Sequence, residues 1–294
     1  MPAGRGKLER VMGIEPTPSA WEAEVLPLNY TRSRMKYSLR SMNKPNVAEA
    51  HLRKVRSFVR RPGRATTAQR RALTDLWPRF GVDAERGPLD LPALFGRDAP
   101  RVLDIGFGDG EALVTTAVNY PANDYLGVEV HEPGIGHLLL LLERSGARNV
   151  RVIQRDAAEV LPQLLPSAGF AAVNLFFPDP WPKTRHHKRR LVQPPFVEEV
   201  ARVLAAGGLL HIATDWADYA RHTLEVLAAS AEFAPIDAGE DPLAFRPPTK
   251  FERRGRRLGH EVADLLYRRG SGTPERMSHQ NSTMPGSATS VVNT

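Results

Sequence analysis

The stretch RVLDIGFGDG, residues 101–110, places a short apolar run directly before three glycines at alternate positions. The run Arg101–Ile105 has the length and composition of a buried strand, and the pattern of Glu111–Asn119 after it predicts a helix. Glycine accepts positive φ and has no side chain, so such a turn lets a ligand lie close to the backbone. The stretch therefore predicts a strand, a ligand-binding turn and a helix in succession.

Outward from this segment, short apolar runs alternate with helical patterns along the chain. Such alternation is typical of βαβ units, in which parallel strands form a sheet with helices on both of its faces. We therefore predict an α/β fold with a doubly wound, mostly parallel sheet, and His260–Arg268 as its final edge strand. The other predicted strands are Tyr125–Val130, Val150–Gln154, Ala171–Phe176 and Leu209–Thr214, and the other predicted helices are Gly134–Arg144, Pro195–Leu204 and Ala217–Ala229.

The predicted fold occupies the middle of the 294-residue chain. Residues 1–45 are rich in proline, glycine, serine and basic residues without a sustained apolar period, which predicts a disordered leader. This leader lacks the apolar core of a signal peptide. Residues 271–294 are rich in small polar residues and predict a disordered tail. One folded domain is thus expected over residues 46–270.

The composition is that of an ordinary soluble globular protein, with 41% hydrophobic and 25% charged residues. No apolar run approaches the roughly 18 residues that a membrane-spanning helix needs. Cysteine is absent, which excludes disulfides, thiolate zinc sites, iron–sulfur clusters and a cysteine nucleophile. Methylation of pyrimidine C5 commonly needs a thiolate adduct, so that chemistry is excluded too. A cytoplasmic protein fits this composition.

The basic residues indicate a polyanionic partner. The chain has 40 Lys and Arg against 33 Asp and Glu, a net charge of +7, and a pI near 9.9. Three clusters hold much of this charge: His51–Arg71, with eight Lys or Arg and no acid, Lys183–Arg190, with five, and Lys250–Arg257. Each cluster alone is more often a solvated face than a binding site. Three that converge on one site would instead indicate nucleic-acid binding.

Three acids follow three successive predicted strands. Asp104 stands directly before the glycine turn, Glu129 ends the second strand about 20 residues further on, and Asp156 follows the third. Ligands of such sheets bind outside the carboxyl ends of the strands, so we expect these acids to surround one ligand. Glu129 suits a pair of ribose hydroxyls and Asp156 an adenine amino group, although Asp156 could equally cap a helix.

Two kinds of ligand use a glycine turn of this type. A dinucleotide site needs a small residue at the sixth position of G-x-G-x-x-G and binds a pyrophosphate at the helix N-terminus. Here the sixth position is Glu111, and the carboxylate of Asp104 would repel a pyrophosphate. The same carboxylate suits the cationic methionine part of S-adenosylmethionine, which has no phosphate. The turn therefore favours S-adenosylmethionine over a dinucleotide.

The most specific segment is FFPDPW, residues 176–181. Each proline fixes its own φ and restricts the residue before it, so Asp179 is predicted to be held rigidly at the end of the fourth strand. Trp181 offers an aromatic face on which a base could stack, an interaction worth roughly 1–3 kcal/mol. Phe176 is expected in the core, and Phe177 could be there as well.

These motifs in combination resemble the bacterial tRNA (guanine-N7-)-methyltransferase family over about residues 50–270. The segments that carry the resemblance are Asp104–Gly110, Gly127–His131, Phe177–Lys183, Arg185–Arg190, Thr214–Asp215 and Thr249–Glu252, with Arg56–Arg61 and Trp77–Gly81 upstream. The chain departs from the family at Asp104, where many members carry Glu, and at Pro182 and Thr184, where others have His or Lys.

The resemblance implies a class I methyltransferase that transfers a methyl group from S-adenosylmethionine to N7 of the guanosine at position 46, in the variable loop of tRNA. It implies a cytoplasmic enzyme, monomeric or homodimeric, with S-adenosylhomocysteine as product and no metal. It assigns the cofactor to Asp104, Gly106, Gly108, Glu129, Asp156 and Asp179, with Asp179 also catalytic. It assigns the substrate to Lys183, Asp215, Thr249, Lys250, Phe251 and Glu252, and RNA contacts to Arg185, His186, His187, Lys188, Arg189 and Arg190.

Guanine N7 carries an in-plane lone pair and no proton, so Asp179 is not needed as a base. We expect it to position the guanine and to stabilise the positive charge that develops on the purine. Asp215 is expected to accept hydrogen bonds from guanine N1–H and N2–H. Three alternatives remain: a methyltransferase for another base or an exocyclic amine, a non-catalytic RNA-binding module of the same fold, and a dinucleotide-dependent oxidoreductase.

Overall fold

The computed structural model describes Phe58, residues 63–83, Glu85, residues 87–237 and residues 242–270. The predicted leader and tail lie outside these residues, as does nearly all of the segment Arg56–Arg61. Their assignments therefore stay predictions, and so do the boundaries of the single domain.

Seven strands form one sheet in the order β3-β2-β1-β4-β5-β7-β6. Strands β1 to β5 are parallel, whereas β7 runs antiparallel to both β5 and β6. The sheet is therefore mostly parallel, as predicted. The strands are β1 Arg101–Ile105, β2 Asp124–Val128, β3 Val150–Ile153, β4 Phe170–Phe176, β5 Leu204–Thr214, β6 Phe233–Pro235 and β7 Ala263–Arg269.

Helices cover both faces of the sheet because successive side chains of a strand point in opposite directions. Leu103 of β1 belongs to a buried cluster shared with α3, α6, α7 and α8, and the preceding Val102 to a second cluster shared with α1, α2, α4 and α5. This arrangement confirms the doubly wound α/β fold. The helices are α1 Thr67–Asp75, α2 Trp77–Phe80, α3 Leu91–Phe95, α4 Glu111–Asn119, α5 Glu132–Ser145, α6 Ala157–Leu164, α7 Pro194–Val203, α8 Ala217–Ala228 and α9 Lys250–Arg257.

The end of the chain differs from the prediction in one respect. The strand predicted at His260–Arg268 forms as β7, but it lies inside the sheet, between β5 and β6, and the edge strand is β6. β6 has only three residues, Phe233–Pro235. It is too short to show an alternating pattern, which is why the sequence did not reveal it.

Candidate active site

The predicted ligand-binding acids meet at the carboxyl edge of the sheet. There a cavity of about 560 Å³ lies between the ends of β1, β2 and β4, the start of α5 and the start of α9. Nine of the predicted site residues line it: Asp104, Gly106, Gly108, Glu129, Asp156, Asp179, Thr249, Lys250 and Phe251. The other predicted residues lie beyond its wall.

The glycine turn has the backbone conformation that its sequence predicts. Gly106, Gly108 and Gly110 have φ of 71°, 63° and 78°, in the left-handed region that favours glycine. A Cβ added to Gly106 would meet no atom within 4 Å, so the backbone there borders open space. A ligand can therefore approach the turn as closely as the main chain allows.

Glu129, directly after β2, is hydrogen-bonded to the backbone of the glycine turn. One carboxylate oxygen accepts a hydrogen bond from the Gly108 amide at 3.0 Å, and the other accepts from the amides of Val130 and His131 at 2.6 and 2.9 Å. These bonds fix the orientation of the carboxylate at the cavity wall. A carboxylate held in this way is pre-organised to accept further hydrogen bonds from hydroxyl groups.

Asp104 is a buried acid that lines the cavity. Only 5% of the residue is exposed. Burial, reinforced by the nearby charge of Glu129, raises the pKa of its carboxyl to about 7. Among the described residues, no side chain donates a hydrogen bond to it or forms an ion pair with it. A buried acid that lacks a positive partner fits a cationic ligand, and it would repel a pyrophosphate.

Asp156 is both a helix cap and a cavity residue. It is the N-cap of α6, and its side chain accepts a hydrogen bond from the Ala158 amide at 3.0 Å. The alternative that Asp156 caps a helix is thus confirmed, and the same geometry keeps its side chain at the cavity wall. Hydrogen-bonding acids at the ends of β1, β2 and β3 fit the amino acid and nucleoside parts of S-adenosylmethionine.

The turn after β4 presents Asp179 in a restricted backbone. Phe177 and Trp181, on either side of Pro178-Asp179-Pro180, have φ of 53° and 44°, a conformation that costs a large side chain of order 1–3 kcal/mol. Phe177 packs against Phe251 of α9 with ring centroids 6.5 Å apart. The strained turn is therefore supported from a second element, and Asp179 lines the cavity between them.

Trp181 lies among the basic residues that follow it. The guanidinium of Arg189 lies 5.0 Å from the centre of the Trp181 ring, and His186 contacts the ring edge-on at 5.6 Å. Residues Thr184–Arg189 form a 3-10 helix in which Arg185 and Lys188 are exposed. Base stacking on Trp181 stays a prediction, and a stacked base would have to share the ring with Arg189.

Arg190 is buried, unlike the other basic residues of its segment. It is 3% exposed, and its guanidinium donates to the carbonyl of Pro180 at 3.0 Å, to His187 at 3.0 Å and to Asp218. This hydrogen bond lowers the pKa of Asp218 against the opposing effect of partial burial. Arg190 is thus enclosed by protein, and its RNA contact stays a prediction. The guanidinium holds the carbonyl that directly follows Asp179.

Glu252 also differs from its predicted substrate role. Thr249 caps α9 by accepting a hydrogen bond from the Glu252 amide at 3.1 Å, and Glu252 itself is 2% exposed. Its carboxylate pairs with Arg246 and, at 2.6 Å, with Arg256. Burial alone would raise the pKa of Glu252, but these two arginines outweigh it and lower the pKa. The carboxylate therefore stabilises α9 and does not line the cavity.

Arg246 is a residue that the sequence analysis missed. Its guanidinium makes two 2.8 Å hydrogen bonds to Asp264 of β7, pairs with Glu252, and lies 5.7 and 5.6 Å from the ring centres of Phe176 and Phe177. It thereby joins the sheet, the strained turn and α9. In the sequence, the only feature at this position is Arg-Pro-Pro before Thr249, and that pattern does not indicate that the arginine side chain is buried.

Asp215 packs against the inward face of α9, beside Gly255. A Cβ at Gly255 would come within 2.7 Å of an Asp215 carboxylate oxygen, so the two residues pack closely. The other side-chain contact is to His260, whose Nδ1 lies 3.5 Å from the carboxylate. Asp215 is not part of the cavity wall, and its contact with guanine stays a prediction.

Sequence comparisons agree with the geometry. Residues 98–265 match a family model described as "Putative methyltransferase". The tRNA (guanine-N(7)-)-methyltransferase of Halorhodospira halophila is 57% identical over 223 residues, 74% of this chain and 95% of the relative. The enzyme of the same name from Alkalilimnicola ehrlichii is 56% identical over 221 residues, 74% and 93% of the two chains. That of Xanthomonas campestris is 51% identical over 238 residues, 80% and 91%.

The fold, the glycine turn and the matched family model define a methyltransferase. With relatives of this identity aligned over nearly their whole length, the chain belongs to the tRNA (guanine-N(7)-)-methyltransferase family. The predicted resemblance is thereby confirmed. No group of metal-binding side chains occurs within the described part of the chain. No helix in that part is long and apolar enough to span a membrane.

Proposed function

We propose that this protein transfers a methyl group from S-adenosylmethionine to N7 of a guanosine in tRNA, the variable-loop guanosine at position 46. The observation that carries the proposal is that Asp104 and Asp179 line one cavity in a chain 57% identical to a relative of that name. The first acid suits a cationic donor, and the second lies where a purine would have to enter.

The donor-binding roles follow from charge and hydrogen bonding. Asp104 pairs with the positive charge of the methionine part, Glu129 accepts hydrogen bonds from the ribose hydroxyls, and Asp156 accepts one from the adenine amino group. Gly106 and Gly108 let the donor lie against the backbone because they have no side chains. These contacts discriminate against NAD, whose pyrophosphate would meet the carboxylate of Asp104.

S-adenosylmethionine supplies a methyl group on a positively charged sulfur, and the lone pair of guanine N7 forms the new bond as the sulfur–carbon bond breaks. No proton has to be removed from N7. The positive charge moves from sulfur to the purine, so Asp179 stabilises the transition state as charge builds up beside it. The strained turn and Arg190 keep Asp179 in place without any rearrangement during the reaction.

The RNA-binding roles fall to the exposed basic residues. Lys183, Arg185 and Lys188 are exposed on the segment that follows Asp179, where they bind phosphates. His186, His187 and Arg189 are half-buried and shape this surface around Trp181. Asp215 accepts hydrogen bonds from the guanine edge, which distinguishes guanine from adenine.

Methylation of unmodified tRNA with labelled S-adenosylmethionine tests the proposal. Digestion of the tRNA to nucleosides should place the label in 7-methylguanosine. Label in another nucleoside, or in the free amino group of a base, would overturn it. Asp179→Asn should lower the single-turnover rate much more than the affinity for tRNA, and a variant as fast as wild type would contradict the role of Asp179.

A further inference from the structure

Helix α9 presents a stripe of positive charge to solvent. Its buried residues are Glu252 and Gly255. With 3.6 residues per turn, Lys250, Arg254 and Arg257 lie together on the opposite side of the helix, at positions i, i+4 and i+7. All three are exposed. Because the one acid of the helix faces inward, the outer side carries only cations.

These three cations are distinct from the other basic residues of α9. Arg253 pairs with Glu111 at 3.0 Å and Arg256 with Glu252 at 2.6 Å, so both have an acidic partner. Lys250, Arg254 and Arg257 have neither an ion pair nor a hydrogen bond with any side chain that the structure describes. The stripe therefore carries three uncompensated charges.

The stripe begins at the cavity. Thr249, Lys250 and Phe251 line the cavity wall at the start of α9, and the helix runs from there to Arg257. A helix rises 1.5 Å per residue, so Lys250 and Arg254 are about 6 Å apart along the axis and Arg254 and Arg257 about 4.5 Å. The three charges are therefore spread over about 10 Å along the helix axis, an arrangement that suits an extended polyanion.

Apolar surface accompanies the charges. Phe251 and Leu258, at positions i and i+7 of one flank of the stripe, are 44% and 65% exposed. Phe251 also packs against Phe177 of the turn that carries Asp179, so α9 and that turn border the same cavity. The basic segments Lys183–Arg189 and Lys250–Arg257 thus flank one site, and the first of these already follows the acid proposed to hold the guanine.

We propose that Lys250, Arg254 and Arg257 bind successive phosphates of the tRNA strand whose guanine enters the cavity. The inference rests on the proposed function and extends it, because it identifies a second RNA-binding element on α9. Lys250 holds the phosphate nearest to the reacting base, and Arg254 and Arg257 hold those farther from it. Exposed Phe251 and Leu258 contact sugars or bases of the same strand.

The double variant Arg254→Ala/Arg257→Ala tests this inference against a control with the same loss of charge. Arg144 and Arg148 are exposed and lie at or just beyond the end of α5, whereas the start of α5 lines the cavity. The control is therefore Arg144→Ala/Arg148→Ala. For both variants we would measure KM and kcat with tRNA, the affinity for S-adenosylmethionine, thermal stability, and tRNA affinity as a function of KCl concentration.

We expect the α9 variant to raise KM for tRNA about tenfold, with kcat, donor affinity and melting temperature close to wild type. The slope of log Kd against log salt should decrease in magnitude by about 1.4–1.8, since two phosphate contacts are lost. The control should change neither quantity. Arg254→Lys/Arg257→Lys, which keeps both charges, should restore most of the affinity.

An α9 variant whose KM and salt slope equal those of the control would overturn the inference. That outcome leaves the proposed function intact, because it is judged from the nucleoside that wild type produces. Conversely, a wild-type protein that binds tRNA through α9 but forms no 7-methylguanosine would overturn the proposed function alone.

Discussion

Asp104 is a buried acid at the cavity, and its protonation depends on what the cavity contains. Burial and the neighbouring charge of Glu129 raise the pKa of its carboxyl to about 7, so the protonated and the charged form are both populated near neutral pH. A cation bound beside it favours the charged form and lowers the pKa again. Binding of a cationic donor is therefore coupled to release of a proton from Asp104.

We expect the affinity for S-adenosylmethionine to fall as the pH drops below about 7, by at most about tenfold per pH unit. The sign follows because the protonated acid must lose its proton before it can pair with the donor. Titration calorimetry in two buffers of different ionisation enthalpy measures both the affinity and the proton release.

The control is Asp104→Asn, which has no proton to release at this position. It should bind the donor more weakly, and the pH dependence that Asp104 gives to the wild-type affinity should be absent. If the affinity of the wild type for S-adenosylmethionine had the same pH profile as that of Asp104→Asn, Asp104 would not be the group that releases the proton.

Arg190 shows that position in a basic run does not distinguish a buried arginine from an exposed one. It is the last of a run of basic residues, and the sequence predicts the same RNA contact for all of them. The structure separates them, because Arg190 faces Asp218 and the Pro180 carbonyl while Arg185 faces solvent. The difference depends on Asp218 of α8, which lies 28 residues beyond Arg190 in the sequence.

Replacement of Arg190 by lysine should lower kcat by about tenfold or more, with a smaller change in KM for tRNA. Lysine keeps the charge but cannot reproduce the planar geometry that joins Pro180 to Asp218. Arg185→Lys, in the same basic segment, should leave kcat unchanged. Steady-state kinetics of the two variants distinguish a positioning role of Arg190 from RNA binding. A rise in KM for tRNA without a fall in kcat for Arg190→Lys would assign Arg190 to RNA binding.

At the scale of elements, the start of α5 is packed against the glycine turn. A Cβ at Gly134 would lie only 2.1 Å from the carbonyl oxygen of Gly108, far inside contact distance and against rigid backbone. His137, one turn further along α5, bonds to the carbonyl oxygen of Asp109 at 2.8 Å. The helix thus fixes the turn that a donor must contact.

Gly134→Ala should therefore destabilise the protein by about 1–3 kcal/mol and weaken donor binding, because the turn and the helix must move apart. Chemical denaturation and donor titration measure the two effects. Gly270→Ala is the matched control, since its nearest atom would be 3.8 Å away and its φ is not positive. A Gly134→Ala protein as stable and as tight-binding as the control would rule out this close packing.

The sequence predicts the regular elements best where the signal is local. The strand Arg101–Ile105 and the helix Glu111–Asn119 have the predicted bounds, and the other predicted strands and helices of the parallel part differ by a few residues at their ends, most at the start of β5. Short or polar elements were missed, among them α1, α3 and the strand β6. Helix α9 has too few apolar residues to show a helical period. Its inward side is held by the ion pairs of Glu252, which the sequence pattern does not reveal.

At the scale of the whole molecule, the predicted acids converge because parallel strands bring their carboxyl ends to one edge of the sheet. That convergence is a consequence of topology, so it was predictable for Asp104, Glu129, Asp156 and Asp179. The placements that depend on side-chain packing between distant elements were not. Arg246, Arg190 and the outward stripe of α9 are of this kind.

The chain has a net charge of +7, and the positions of its basic clusters relative to the cavity decide what this charge can bind. The cluster Lys250–Arg257 begins at the cavity wall, and the cluster Lys183–Arg190 follows the turn that carries Asp179. Most of the third cluster, His51–Arg71, lies outside the described residues. A cationic surface around an acid-lined cavity attracts RNA and still accepts a cationic donor, because the positive and negative charges are segregated. The molecule thus combines the two electrostatic requirements of the proposed reaction.

The most direct test of methyl transfer to guanine N7 changes a single atom of the substrate. A tRNA in which 7-deazaguanosine replaces only the guanosine at position 46 keeps the Watson–Crick edge of that base but has carbon in place of N7. We predict that labelled S-adenosylmethionine methylates the ordinary transcript and leaves the 7-deaza transcript unlabelled, although both bind the protein with similar affinity. Equal labelling of the two transcripts would contradict the account.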